Sequence, residues 1–170
     1  GRLVTLTGPG GTGKTRLTLQ LAGELSDGYP DGVWLVELAP LAEVGMVLPA
    51  IAKVFALQPD PGRPLETVLA DFLRGKEMLL ILDNCEHLVD QCADLAEQLL
   101  RGCPRLRILA SSREFLGVRG EMPYWVPPLA LPDLDHKLLL TQLNEYDSVR
   151  LFVERARMVA LDFAVTADNA

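Results

Sequence analysis

Gly8-Pro9-Gly10-Gly11-Thr12-Gly13-Lys14-Thr15 is the stretch that decides how this chain is read. An apolar run, Leu3 to Thr7, leads into it, and Leu17, Leu21 and Leu25 leave it at four-residue spacing. A strand, a glycine-rich turn and a helix are therefore expected in that order. The pattern G-x-x-x-x-G-K-T has a physical purpose. Glycines let a loop curl with its backbone N–H groups turned inward, and they keep side chains out of the space a polyphosphate needs. The helix that follows adds the positive end of its dipole. Lys14 is placed to reach the β and γ phosphates, and the Thr15 hydroxyl to ligate Mg²⁺.

The remainder of the composition narrows the class. A chain of 170 residues, 49% hydrophobic, is the size of one domain with a sizeable core. A net charge of −7 argues against a sequence-independent grip on nucleic acid, which rests on clustered Lys and Arg. DNA contact is left to some domain outside this segment. No apolar run approaches the roughly 20 residues that cross a bilayer, so no membrane association is expected. Gly1-Arg2-Leu3-Val4 does not open a signal peptide. Cys85, Cys92 and Cys103 are odd in number and lack C-x-x-C spacing. They predict buried free thiols in a reducing cytoplasm. His87 and His136 are isolated, and His87 beside Glu86 does not make a metal site. The chain opens on a core strand and stops in Thr166-Ala167-Asp168-Asn169-Ala170, which reads as a helix beginning. Both ends are thus expected to be cuts.

Further strands are expected at residues 33–38, 78–83, 106–110 and 122–126, buried on both faces. Between them run helical stripes. Val44, Val47, Leu48, Ile51, Val54 and Phe55 form one, with Pro49 delaying its regular start to about Leu48. Leu65, Val68, Leu69, Phe72 and Leu73 form another, with Pro64 in its first turn. Leu88, Cys92, Leu95 and Leu99 form a third. Alternation of this kind implies an α/β fold with a parallel sheet of about five strands, and with the Gly8–Thr15 loop the expectation is a three-layer P-loop NTPase fold. Pro127-Pro128-Leu129-Ala130-Leu131-Pro132 breaks the pattern. Val149, Phe152, Val153, Ala156 and Ala160 then mark one more helix face, read as the start of a helical lid subdomain. The expected organisation is a nucleotide-binding domain at 1–131, a linker at 132–146 and the first lid helix at 147–170.

Open parallel sheets bind ligands beyond the carboxyl ends of their strands. Leu79-Leu80-Ile81-Leu82-Asp83 has the form of a Walker B strand, with one carboxylate at its tip beside the metal that Thr15 would hold. Asn84 follows, where many ATP-hydrolysing proteins place a Glu. An amide can orient a water but cannot take its proton, which points to slow hydrolysis. Glu86 is the substitute candidate; the alternatives are a solvated loop residue or a partner of Arg113. Arg113, just past the fourth strand, is placed to touch the γ-phosphate, or else to pair with Glu86 or Glu114. Arg119 is a weaker candidate. Trp34 reads as core rather than as a base-stacking group, and Tyr124 and Trp125 carry no adenine assignment.

Four ordered segments carry a resemblance: Leu6-Thr7-Gly8-Pro9-Gly10-Gly11-Thr12-Gly13-Lys14-Thr15-Arg16-Leu17, Leu80-Ile81-Leu82-Asp83-Asn84-Cys85-Glu86-His87-Leu88, Ile108-Leu109-Ala110-Ser111-Ser112-Arg113-Glu114 and Val126-Pro127-Pro128-Leu129. Together they resemble the NB-ARC-like module of STAND-class ATPases in bacterial LuxR and AfsR-type regulators. The resemblance implies an ATP/ADP switch in which Gly8, Pro9, Gly10, Gly11, Thr12, Gly13, Lys14, Thr15 and Arg16 bind nucleotide. It further implies that Lys14 holds phosphate, that Thr15 and Asp83 hold Mg²⁺ and that Arg113 is the sensor arginine; Glu86 joins Lys14, Asp83 and Arg113 as a catalytic candidate from its position alone. It also implies an effector or DNA-binding domain and helical repeats as neighbours, and nucleotide-dependent self-association. The family's upstream Gly-Arg motif and its Gly-Leu-Pro lid element lie outside the segment, and residues 136–146 are longer than that family's linker. Three other readings compete: a P-loop nucleotide or metabolite kinase, a GTPase, and a non-hydrolysing ADP-binding interaction domain. The chain has no Arg-rich lid for the first, and neither N-K-x-D nor D-x-x-G for the second.

Overall fold

The computed structural model describes residues 1–43, 45–133 and 140–166. Val44, His136 and the supposed helix start at 167–170 lie outside the described residues, as does part of the 132–146 linker. Residues Gly1–Val126 form one unit and Pro127–Ala170 a second.

In the first unit, strands β1 (Leu3–Thr7), β2 (Val33–Glu37), β3 (Leu79–Asp83), β4 (Arg107–Ser112) and β5 (Glu121–Trp125) form one sheet in the order β2-β3-β4-β1-β5. Every pairing is parallel. Parallel neighbours need crossovers, and these are helices α1 (Lys14–Leu25), α2 (Val47–Val54), α3 (Leu65–Leu73) and α4 (Val89–Gly102). This is the three-layer α/β P-loop NTPase-like fold.

Strand periodicity divides the core into two. On β3, Leu80 and Leu82 join a cluster with Ile51, Leu69, Leu95 and Leu99, from α2, α3 and α4. Leu79 and Ile81 point the other way, into a cluster with Leu6 and Leu109 on which Leu17 and Leu21 of α1 pack. Leu80, Ile81 and Leu82 are at most 1% exposed, each worth ~2 kcal/mol of burial. Leu25, the third member of the expected α1 stripe, is exposed. Pro49 falls in the first turn of α2, where its missing N–H has no helical partner to lose. Pro64 sits one residue ahead of α3, and its carbonyl accepts from the Thr67 and Val68 N–H groups.

The expectation of strands buried on both faces fails at β5. Met122, Tyr124 and Trp125 are 51%, 59% and 58% exposed; β5 pairs only with β1 and ends the sheet, and in β2, at the other end, only Val36 is buried. Pro123 suits that edge. Val126 N–H donates to Thr7 O at 2.8 Å, so by the two-residue alternation position 123 needs no N–H toward β1.

A clamp joins the entries of β2 and β3. Asp31 Oδ2 accepts the Glu77 N–H at 2.7 Å, and Lys76 Nζ lies 3.3 Å from Oδ1. The Glu77 N–H bond, with Lys76 and Arg105 nearby, holds the Asp31 carboxyl below its ordinary value. A carboxyl depressed on folding contributes stability above its unfolded-state pKa and loses it as pH falls through the folded-state value. Asp31→Ala is therefore expected to unfold at lower urea than wild type at neutral pH. The gap should close below about pH 4; a gap independent of pH would contradict the assignment.

The second unit contains α5 (Leu140–Leu143) and α6 (Asp147–Val159). Phe152 of α6 stacks edge-on against Phe163, ring centroids 5.7 Å apart. Among the described residues no helix is long and apolar enough to cross a membrane.

Candidate functional site

The registers bring three strand ends together. Leu6 and Thr7 of β1 lie beside Ser111 and Ser112 of β4, and Leu82 of β3 lies beside Ala110. The loop after β1, the acid at the tip of β3 and the polar end of β4 thus meet at one edge of the sheet.

The loop takes its shape from backbone conformations that side chains disfavour. Gly11 and Gly13 have φ of 81° and 87°. Gly8, at φ 149°, also sits so close to β5 that a Cβ there would meet Val126 O at 2.6 Å. The loop ends on the first turn of α1, whose N-terminus has no side-chain cap. Lys14 is folded back over the loop, its Nζ donating to Gly8 O and Pro9 O, each at 2.8 Å. It is 9% exposed, and among the described residues it has no carboxylate partner. Thr12 Oγ1 donates to Pro9 O at 3.0 Å and tightens the turn. Arg16, one residue beyond Thr15, is exposed on the first turn of α1.

Thr15 Oγ1 lies 3.0 and 2.9 Å from the two carboxylate oxygens of Asp83, so the hydroxyl donates across the gap between α1 and β3. Ser111 also donates to Asp83 Oδ1, and its Oγ accepts the Asn84 N–H at 2.9 Å. Asn84 is left-handed, at φ 68°. A single β4 hydroxyl therefore fixes both the acid and the backbone that follows it. Ser111 went unremarked in the sequence because its partners lie 27 and 28 positions away.

Arg113 Nε meets Glu86 Oε1 at 2.9 Å. Glu86 lies in a short 3-10 turn, Cys85–His87. His87 Nε2 faces two carbonyls, Leu38 O at 3.1 Å and Leu41 O at 2.9 Å, so this nitrogen carries the proton. His87 is thus a tether between that turn and the loop after β2. Arg119 stands elsewhere. It precedes β5, whose first residue pairs with Leu3, so it lies toward the sheet edge opposite the phosphate loop. Trp34 stacks on Phe55, centroids 5.0 Å apart, as part of the core. The three cysteines are buried free thiols. The hydrogen bond shared with Cys92, and then burial, push the Cys85 thiol well up. Burial raises that of Cys103.

The residues suit a magnesium–nucleotide. A buried ammonium whose partners among the described residues are two carbonyl oxygens is a costly arrangement that an anion relieves. A hydroxyl and a carboxylate in contact supply hard oxygen donors of the kind Mg²⁺ takes, with water and phosphate completing its shell.

Comparison with known proteins gives the family and the fold. The AAA domain family profile matches residues 1–115. An uncharacterized protein of Mycobacterium tuberculosis is 40% identical over 169 residues, 99% of this chain and 40% of its own length. A second protein of the same organism, named "Putative HTH-type transcriptional regulator", is 41% identical over 169 residues, 99% of this chain but 18% of its own length. The chain thus spans well under half of either relative. Among solved structures, Cdc6p from Pyrobaculum aerophilum superimposes with TM-score 0.56 at 20% identity, covering 74% of this chain and 38% of its own. The Aeropyrum pernix ORC2 protein, determined as ADPNP-ADP complexes, does so with TM-score 0.50 at 15% identity, covering 72% and 41%. Both likenesses concern the fold.

Proposed function

The chain belongs to the AAA domain family, and from that premise we propose that it is the ATP/ADP-binding switch module of a larger signalling or transcriptional regulator, of the STAND, NB-ARC-like kind, with slow ATP hydrolysis. The observation that carries the proposal is the buried Lys14 ammonium, held over a glycine-rich loop by two carbonyls and, among the described residues, by no counter-charge. The loop from Gly8 to Arg16 holds the phosphates, with Lys14 on the terminal ones. Thr15 and Asp83, already in contact, hold Mg²⁺. When bound, that ion supplies charge neutralisation at the phosphate oxygens. In this reading Arg113 contacts the γ-phosphate and so distinguishes ATP from ADP.

Slow turnover follows from Asn84, which cannot accept a proton from the attacking water. Glu86, the nearest candidate for that task, is engaged by Arg113. The same observation favours a second reading, an interaction domain that holds ADP without hydrolysing ATP. The regulator setting draws on the 41%-identical relative, and the nucleotide on the ADPNP-ADP complexes of the ORC2 protein. In this reading residues 1–131 bind nucleotide, 132–146 link and 147–170 begin a helical lid. The protein is cytoplasmic and works beside an effector or DNA-binding domain and helical repeats, with self-association set by the nucleotide.

Calorimetric titration with Mg-ADP, Mg-ATP and Mg-GTP tests the proposal. Adenine-selective binding is the expected result, and phosphate release during a long incubation separates switch from passive holder. A preference for GTP, or binding of none of the three, overturns it.

A further inference from the structure

We infer that Glu86 is a positioning residue for Arg113, not the base that activates water. The inference rests on the nucleotide-binding reading above and assigns the discrimination between ATP and ADP to a pair of side chains. Arg113 is long and its side chain is 66% exposed, so little packing restrains it. Glu86 takes its Nε, which leaves the two Nη groups for another acceptor. Nη2 lies beside the phosphate loop: a Cβ on Gly10 would come within 3.7 Å of it. A planar guanidinium gripped at Nε presents its remaining fork in one direction.

The carboxylate that grips it stands on a braced turn. Before it, Cys85 is wholly buried, its Sγ 3.4 Å from Leu82 O, and the Asn84 N–H is held by Ser111. After it, His87 is tied to Leu38 O and Leu41 O. Glu86 therefore transmits the position of the β3 tip and of the loop after β2 to the guanidinium. The Oε1 oxygen of Glu86 is thereby committed to the guanidinium.

The test compares wild type with Arg113→Ala, Glu86→Ala, Glu86→Gln and the double alanine variant. Mg-ATP and Mg-ADP affinities and phosphate release are measured on each. Loss of one charge-assisted contact to the γ-phosphate should weaken ATP roughly tenfold in Arg113→Ala and in Glu86→Ala. ADP should change less than about threefold. The double variant should be no worse than either single one. Glu86→Gln keeps an acceptor for Nε and should recover most of the ATP affinity and the phosphate release. Two results overturn the inference: Glu86→Ala that leaves ATP affinity untouched while Arg113→Ala lowers it, and Glu86→Gln that binds ATP normally but stops phosphate release. Wild type that binds neither nucleotide overturns the underlying reading as well, so the two failures are told apart.

Discussion

Lys14→Ala is expected to weaken Mg-ATP and Mg-ADP binding by roughly 100-fold or more while leaving the fold intact. The ammonium can exchange its bonds to Gly8 O and Pro9 O for bonds to phosphate oxygens. Two charge-assisted hydrogen bonds at ~1.5–3 kcal/mol each account for that loss, since 1.4 kcal/mol is about tenfold. Stability should move little. The variant removes a buried charge that has no counter-charge among the described residues, and the two freed carbonyls border an open loop. Calorimetry with both nucleotides and a thermal melt of the free protein check this. Binding within about threefold of wild type would remove the observation on which the functional reading stands.

Asp83→Asn has the other large expected effect. Wild type should bind ATP more tightly with Mg²⁺ than with the metal chelated, and in the variant that difference should vanish. Asparagine keeps an oxygen for the Thr15 and Ser111 hydroxyls, so the tip of β3 stays in place while the charge and one acceptor oxygen are lost. Whatever phosphate release wild type shows should fall roughly 100-fold, as expected when several kcal/mol of metal-borne charge stabilisation are removed. Titrations with and without chelator, beside a phosphate-release assay, measure both effects. A variant with an unchanged Mg²⁺ effect would place the metal elsewhere.

What could be read in the residues was whatever a local stretch dictates. The loop from Gly8 to Thr15 and the apolar run ending in Asp83 are contiguous, and each states its own conformation. The expected helix and strand positions mostly agree to within a residue or two for the same reason. The contacts that complete the site depend instead on how strands line up. Ser111 reaches Asp83 only because β4 runs beside β3, and His87 reaches Leu38 and Leu41 across 49 and 46 positions. The misjudged exposure of β5 has another origin. Met122, Tyr124 and Trp125 are large and mostly apolar, and the strand order, which a local stretch does not state, leaves one side of β5 without a neighbour.

The contact between Gly8 and the end of β5 has a mechanical consequence. Val126, the last residue of the first unit, gives its N–H to Thr7, and its carbonyl fills the space where a side chain on Gly8 would stand. The root of the phosphate loop and the point where the chain leaves the sheet are therefore one joint. A side chain at Gly8 would have to displace the Val126 carbonyl, so a larger residue there would strain the loop and the strand exit together.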